Sequence, residues 1–368
     1  MDHRAISGSI LLATSVLACS EGDGATGDKV TIAYITHSEC NRFGDLGRAG
    51  ARQARTELSS TSTRPVDVMV IDPECPALTD DGQPLDPDDT CYFARPQMKV
   101  IQEVIDKKAD AMVIDVFSGD CETDLINQAV DSGMKVVTYG GDAPASRRHT
   151  YYGMDNKAAA AFLMDALATL NGKTGKIAFQ TMMDENDDGG YTPTVAGTFI
   201  DRTAGFTEAL KKYPDMTSVV SLPCLCCDYE DPFCTEQAEK ALQDDPEIVG
   251  FFFSYSKLLG EPDLAAHAPL LTERAKAKTI HSVAFDTLPE YMERMRAGYV
   301  DVLLGQKLFG WGYDTVLLAY DLVTTNRQVS AFTDAGWYVV CPNNLDEFER
   351  NTQAMDYRTP LSKCSLLP

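Results

Sequence analysis

The sequence predicts an α/β protein made of two doubly wound lobes, each built on a parallel sheet. Short apolar runs rich in β-branched residues alternate with amphipathic helical patterns along the chain, and this alternation is typical of parallel sheets covered by helices on both faces. The length of 368 residues favours two domains over one. A change of composition at 140–148 (GGDAPASRR) indicates a crossover between them.

Strands and helices are predicted in order from these two patterns. The short apolar runs predict strands at 30–36, 66–72, 111–116, 135–139, 176–180, 217–222, 248–253, 279–285 and 302–305. Apolar residues at helical spacing predict helices at 46–58, 97–107, 125–132, 158–170, 204–212, 235–243 and 288–297. The Asp- and Pro-rich stretch 73–95 and the cysteine-rich stretch 224–234 interrupt the alternation and are predicted to be loops held by disulfides.

The charge balance excludes several classes of partner. With 32 basic and 55 acidic residues the formal net charge is −23, which would repel nucleic acid and anionic lipid headgroups. The apolar fraction of 44% is ordinary for a globular protein and excludes a largely disordered acidic chain. A small neutral or cationic ligand remains compatible with this composition.

The first 19 residues are predicted to be an export signal, because a short apolar run ends in small residues. Val16-Leu17-Ala18-Cys19 resembles a bacterial lipobox, which predicts lipidation of Cys19 and an envelope or periplasmic location. Ordinary secretory cleavage near Ala18 is the alternative. Residues 20–28 are then a flexible tether.

The remaining ten of the 11 cysteines are predicted to form disulfides in an oxidising compartment. Proximity in sequence favours the pairs Cys75–Cys91 and Cys341–Cys364. Cys40 and Cys121, which each stand just beyond a predicted strand, are a weaker candidate pair. The pairing within the remaining cluster stays open: Cys224, Cys226, Cys227 and Cys234. Zinc is disfavoured there because no second C-x-x-C pair is present, and a redox Cys224–Cys227 pair lacks a thioredoxin-like context.

The sequence contains no convincing catalytic or metal-binding motif, so no catalytic residue, metal or cofactor is predicted. The five histidines are scattered, and the sequence contains no G-x-S-x-G, Walker or H-E-x-x-H motif. Gly44-x-x-Gly47-x-x-Gly50 is interpreted as small residues that let a helix pack closely on a sheet. Asp184-x-Asn186-x-Asp188-Gly189 matches half of a calcium loop, but Val195 stands where a bidentate Glu is needed.

Polar side chains and one aromatic ring follow several of the predicted strands. In open α/β sheets ligands bind at the carboxyl ends of strands, so these residues are candidate ligand contacts: Asn41, Phe43, Asp142, Asn156, Asp286 and Gln306. The alternative for each Asn or Asp is a helix cap.

Four segments in the same order resemble the sugar-type periplasmic binding proteins of bacteria, the ribose-binding class. They are 135–156 (KVVTYGGDAPASRRHTYYGMDN), 202–210 (RTAGFTEAL), 282–286 (SVAFD) and 297–312 (AGYVDVLLGQKLFGWG). The resemblance covers residues 30 to about 344. It implies two Rossmann-like lobes joined by a hinge of three crossovers, with a first lobe of 29–144 and 307–332 and a second lobe of 145–306 and 333–368.

The resemblance also implies the function and the site. Such proteins are not enzymes; they close on a sugar between the lobes and deliver it to an ABC importer, as monomers. It assigns ligand contacts to the following positions: Asn41, Phe43, Asn156, Arg202, Asp286 and Gln306. Two positions depart from the pattern. Gly140 replaces the usual Asp, so Asp142 is a candidate substitute, and Tyr255-Ser256 replaces an Asn-Asp pair, so Tyr255 is a candidate aromatic contact.

Two other functions use features of the same sequence. A receptor that reports ligand occupancy to a chemoreceptor or sensor kinase has the same fold. An exported thiol oxidoreductase or a hydrolase with paired carboxylates would use the cysteines or the acidic residues instead.

Overall fold

Two α/β lobes make up the described part of the chain. The computed structural model describes residues 29–39, 41, 43–77, 85–86, 89–185, 190–193, 197–225, 232–325 and 327–367. The first lobe starts with β1 (Val30–Ile35), α1 (Gly44–Thr61), β2 (Val66–Ile71), α2 (Arg95–Asp106), β3 (Ala111–Ile114), α3 (Gly119–Asp131), β4 (Lys135–Tyr139) and β5 (Thr150–Gly153).

The second lobe follows, and the longest strand of its sheet is eleven-residue β6. Its elements are α4 (Asn156–Leu170), β6 (Gly175–Glu185), β7 (Tyr191–Pro193), α5 (Gly197–Leu210), β8 (Met216–Cys224), α6 (Phe233–Asp244), β9 (Ile248–Phe253), α7 (Leu264–His267), α8 (Pro269–Lys276), β10 (His281–Phe285), α9 (Pro289–Arg296) and β11 (Val302–Gln306). The C-terminal part supplies α10 (Leu308–Thr325) and β12 (Phe332–Asp334) to the first lobe, and β13 (Trp337–Val340) and α11 (Leu345–Gln353) to the second.

Both sheets are doubly wound, which confirms the predicted fold class. The first has the order β12-β5-β4-β3-β1-β2, and its strands are all parallel. The second has the order β13-β11-β10-β9-β6, with β8 parallel beside β6 and β7 antiparallel to its end. β13 is antiparallel to β11. The carboxyl ends of the parallel strands therefore lie along one edge of the sheet in each lobe. Open α/β sheets bind their ligands at this edge.

The chain crosses between the lobes between β5 and α4, between β11 and α10, and between β12 and β13. These are the three predicted crossovers, but the first lies beyond residue 153 and not at 144. The boundary at 144 was wrong because β5 pairs in parallel with β4 and belongs to the first sheet. The third crossing follows residue 334 rather than 332, because β12 pairs with β5.

Glycines allow α1 to pack closely, as predicted. A Cβ at Gly47 would collide with the Tyr34 hydroxyl on β1. A Cβ at Gly50 would collide with the carbonyl oxygen of Phe309 on α10, and one at Gly312 with that of Gly47. The glycine pattern therefore holds α1 against α10, a helix that the sequence reading did not include, as well as against the sheet.

The disulfides confirm one predicted pair and overturn two. Cys341 and Cys364 are bonded as predicted. Cys91 is bonded to Cys121 across 30 residues, so neither Cys75–Cys91 nor Cys40–Cys121 forms. Those two predictions were wrong because parallel topology brings the start of α2 and the start of α3 to the same sheet edge, whatever their separation in sequence. Cys75 is also disulfide-bonded, whereas Cys40 lies outside the described residues.

Within the cysteine cluster, Cys224 is bonded to Cys234. A redox Cys224–Cys227 pair is therefore not formed, and neither bonded cysteine is a thiolate zinc ligand. Cys226, Cys227, Cys19 with the leader and tether of residues 1–28, and the side chains of the calcium-type stretch 184–189 lie outside the described residues. Among the described residues, no three His, Cys, Asp or Glu side chains are grouped to hold a metal ion, and no helix has the length and apolarity to cross a membrane.

Candidate ligand-binding cleft

A buried arginine is the centre of the polar cluster on the second lobe. Arg202, on α5, is 2% exposed. Its Nε donates to Asn156 Oδ1 at 3.0 Å, and its Nη1 donates to the carbonyl oxygen of Ser254 at 2.7 Å. Both partners are placed by the fold, because Asn156 opens α4 and Ser254 directly follows β9. The guanidinium is therefore held in one orientation by two elements.

Asp286 provides the carboxylate of the same cluster. Its Oδ2 lies 4.0 Å from Arg202 Nη1, and its Oδ1 accepts a hydrogen bond from Gln306 Nε2 at 2.8 Å. The Arg202–Asp286 separation exceeds hydrogen-bond length. A ligand hydroxyl, which both donates and accepts, can bridge the guanidinium and the carboxylate at this spacing.

The backbone at Asp286 is in the left-handed region, with φ of +70°. Few non-glycine residues adopt this conformation, although Asp and Asn are enriched among them. Its N–H donates to the carbonyl oxygen of Leu304 at 2.7 Å, which holds the turn beside β11. Such unusual backbone positions persist where surrounding structure enforces them, and they cluster at binding sites.

Aromatic rings enclose the arginine. The guanidinium carbon of Arg202 lies 3.8 Å from the ring centre of Phe285 and 5.4 Å from that of Phe199. Tyr255 contacts Phe199 edge-on at 5.4 Å between ring centres. Burial lowers the pKa of Arg202, and Asp286 and Tyr151 act in the opposite direction. A buried cation whose counter-ion lies beyond hydrogen-bond length favours a ligand that brings hydrogen-bond acceptors.

Tyr151 on β5 presents the first lobe to this cluster. Its hydroxyl donates to the carbonyl oxygen of Gly140 at 2.9 Å. Burial raises the pKa of Tyr151, and Arg202 of the other lobe partly offsets that rise. Tyr151 and Arg202 therefore interact electrostatically across the boundary between the lobes.

Asp115 explains the glycine at 140. A Cβ at Gly140 would lie 2.5 Å from Asp115 Oδ1, and the φ of Gly140 is +61°. Asp115 directly follows β3, is 6% exposed, and its Oδ1 accepts from the Gly141 N–H at 2.8 Å. Asp115 therefore places a carboxylate beside position 140, where the resemblance implies an Asp; the sequence pattern did not indicate this because it put 115 inside the predicted strand.

The remaining predicted site residues have different surroundings. Asn41 Oδ1 accepts from the Phe43 N–H at 2.9 Å in a turn that leads into α1, and Phe43 packs against the apolar cores of both lobes. Asp142 accepts from the Thr138 hydroxyl at 2.6 Å and is paired through both carboxylate oxygens with Arg148. The Asp142 side chain thus fixes its own loop, and its contacts with a ligand stay a prediction.

Comparisons with known proteins identify the family and the fold. A family model described as "Periplasmic binding protein domain" matches residues 77–327. No curated protein sequence matches the chain.

Solved structures with the same fold include three bacterial solute-binding proteins. One is an ABC transporter solute-binding protein from Burkholderia graminis in complex with D-arabinose, 21% identical, with a TM-score of 0.66 over 86% of this chain and 96% of that chain. Another is AraP, an arabinose-binding protein from Geobacillus stearothermophilus, 21% identical, with a TM-score of 0.65 over 87% and 99%. A third, from Bacillus halodurans with bound myo-inositol, is 18% identical, with a TM-score of 0.64 over 89% and 99%.

Proposed function

The chain belongs to the periplasmic binding protein domain family, and on that premise we propose that it captures a sugar between its lobes and delivers it to an ABC importer. The family implies an extracytoplasmic location. We further propose that the protein acts as a monomer anchored through lipidated Cys19. The permease is the membrane partner in this proposal.

The observation that carries the proposal is the Arg202–Asp286 pair. The two side chains are fixed by Asn156 and Gln306 and lie 4.0 Å apart at the carboxyl ends of their sheet. A rim of sugar hydroxyls can satisfy both charges at once through charge-assisted hydrogen bonds. The crystal structures with arabinose and inositol support a ligand of this class.

The aromatic residues supply the other half of sugar recognition. A sugar ring has apolar C–H faces that stack on aromatic rings. Phe43, at the junction of the lobes, and Tyr255, beside Phe199, are the proposed stacking side chains. Asn41 and Asp142 are the proposed polar contacts of the first lobe, with Asp115 added from its position at the end of β3.

A thermal-shift panel of monosaccharides and disaccharides tests the proposal on the purified protein. A ligand at 100 times its Kd adds about 2.7 kcal/mol to the free energy of unfolding, which is readily measured as a rise in Tm. We expect at least one sugar to raise Tm, whereas amino acids at the same concentration leave it unchanged. If no sugar raises Tm, the proposed function is wrong.

A further inference from the structure

Three aromatic rings form a platform on the first lobe that the Arg202–Asp286 cluster does not use. We define this platform as His37, Phe93 and Phe117. The His37 and Phe117 rings stack with their centres 4.2 Å apart, and the Phe117 and Phe93 rings lie 6.3 Å apart with planes 3° from parallel. Phe93 is 41% exposed. An apolar ring of this exposure beside a ligand cleft offers a face for stacking.

The platform sits at the carboxyl edge of the first sheet. His37 follows β1, Phe117 follows β3, and Phe93 precedes α2. Gln97 joins these segments: its Nε2 donates to the carbonyl oxygens of Thr36 and Asp115, both at 2.8 Å, and its Oε1 accepts from the Phe117 N–H at 3.0 Å. Gln97 is 1% exposed, so this support is internal to the lobe.

A disulfide and a tyrosine hold the outer part of the platform. Cys91–Cys121 ties the turn before Phe93 to the start of α3. Tyr92 packs edge-on against Phe93 at 5.7 Å between ring centres, and its hydroxyl donates to the carbonyl oxygen of Ala77 at 2.5 Å. Both ends of the platform are thus fixed by covalent or hydrogen bonds, and a ligand would meet a surface that is already ordered.

A series of contacts connects the platform to Tyr151, which interacts electrostatically with Arg202. Tyr151 donates to the carbonyl oxygen of Gly140, the next residue Gly141 donates to Asp115, and Asp115 Oδ1 lies 3.9 Å from His37 Nδ1. Along this series the side chains change from charged groups to the stacked rings of the platform, of which Phe93 is exposed. The carboxylate of Asp115 stands where the two parts meet and can accept hydroxyl hydrogen bonds.

We propose that the platform is a subsite for a second sugar ring, so that the ligand is a disaccharide or longer sugar. The first ring lies against Arg202 and Asp286, and the second stacks on Phe117 and Phe93 while Asp115 accepts from hydroxyls near the linkage. This inference rests on the proposed function and specifies its substrate class.

Calorimetric titration of the full mature protein tests the subsite. The probes are maltose, cellobiose, lactose, melibiose and xylobiose, each compared with its constituent monosaccharides. We expect a disaccharide to bind more tightly than its monosaccharides. Phe93→Ala and Phe117→Ala should each weaken disaccharide binding about fivefold and change monosaccharide binding less than about twofold. Phe93 is exposed, so its variant tests the subsite even if Phe117→Ala fails to fold.

Leu270→Ala is the control, because Leu270 lies on α8 and is 37% exposed, close to the value for Phe93. It should bind every sugar as the wild type does. If monosaccharides bind but no disaccharide binds more tightly, or if both Phe variants keep wild-type affinities, the subsite is wrong and the proposed function stands. If no sugar of either kind binds, the proposed function and the subsite both fall.

Discussion

Arg202 is a buried cation that donates to two neutral acceptors. The shape of its guanidinium, as well as its positive charge, should therefore matter for folding and binding. The planar guanidinium donates to Asn156 and to Ser254 and stacks on Phe285. A lysine ammonium is a point charge on a flexible stem and cannot reproduce two fixed donors and a flat face. The identity of the side chain at 202 should therefore affect both folding and binding.

We expect Arg202→Lys to lower the free energy of unfolding by about 2 kcal/mol, because buried acceptors lose their donors. Sugar affinity should fall at least about tenfold. Urea denaturation and calorimetric titration measure the two effects. Arg147→Lys is the control, since Arg147 forms an exposed pair with Asp131 and exposed pairs contribute little. Wild-type affinity in Arg202→Lys would show that the guanidinium does not contact the ligand.

Glu122 on α3 is a buried carboxyl whose titration should make the free energy of unfolding depend on pH. Burial raises its pKa from 4.5 to about 8, opposed by the N–H groups of Ser118 and Phe117, while Asp115 adds a smaller rise. Because the pKa of Glu122 is higher in the folded state than in the unfolded state, only the folded protein keeps this carboxyl protonated at pH values between 4.5 and about 8. The stabilising contribution of the protonated Glu122 is complete below about pH 4.5 and is lost as the pH rises through 8.

Glu122→Gln should remove this pH dependence, because the amide does not titrate. Between pH 5 and 8 the wild type should lose stability relative to the variant by up to about 1.4 kcal/mol per pH unit. Urea denaturation of both proteins at several pH values gives the difference. A constant difference across this range would contradict the assignment.

Part of the site could be predicted residue by residue, and part could not. Asn156, Arg202, Asp286 and Gln306 converge as the resemblance implied. Asp286 and Gln306 stand at strand ends on one sheet edge, and α4 and α5 bring Asn156 and Arg202 to that edge. Asp115 and Tyr151 were missed. The first was counted inside a strand, and the second lies on β5, a four-residue strand that is held between β4 and β12, the latter far along the chain.

At the scale of elements, the local sequence predicted several buried strands but missed one long buried helix. The predicted strands at 30–36, 135–139 and 248–253 correspond to β1, β4 and β9, because continuous β-branched and aromatic runs favour buried parallel strands. α10 was missed because it is apolar on most faces: it packs on α1 as well as on the first sheet. A helix buried on several sides lacks the amphipathic period that the prediction relied on.

The α1–α10 contact should be intolerant of added volume. Gly50→Ala places a methyl group against the Phe309 carbonyl oxygen, and backbone cannot move aside as a side chain can. We expect a loss of about 2 kcal/mol or more in the free energy of unfolding. Gly197→Ala is the matched control, because nothing described lies within 4 Å of its Cβ position. Equal stabilities of the two variants would contradict the close packing.

The Cys91–Cys121 bond should support both the fold and the platform. Removing it as Cys91→Ser with Cys121→Ser frees a 30-residue loop and should cost about 3–4 kcal/mol. Removing Cys341–Cys364, which closes 23 residues, should cost a similar amount. Only the first double variant should lower disaccharide affinity relative to monosaccharide affinity in calorimetric titration. Equal affinity ratios in the two would contradict a role for Cys91–Cys121 in the platform.

At the scale of the whole molecule, the three crossings define how the lobes can move. All three lie between strands or helices of different lobes, so closure can occur by rotation about them without breaking either sheet. Phe43 contacts the apolar cores of both lobes, so a rotation of the lobes would change its surroundings. The family resemblance predicted the number of crossings. It did not predict that the first lobe includes β5 and β12, because tertiary contacts set the pairing of these two strands.

Calorimetric titration of the wild type, Asp286→Asn and Asp245→Asn with the most strongly stabilising sugar tests the central claim most directly. Asn keeps the tolerance for a left-handed backbone at 286 but removes the charge, and Asp245 is a carboxylate paired with Lys176 outside the cleft. We expect saturable binding of one sugar by the wild type and Asp245→Asn, and a loss of at least about 100-fold in Asp286→Asn. Equal affinities of all three proteins would show that the sugar does not bind between Arg202 and Asp286.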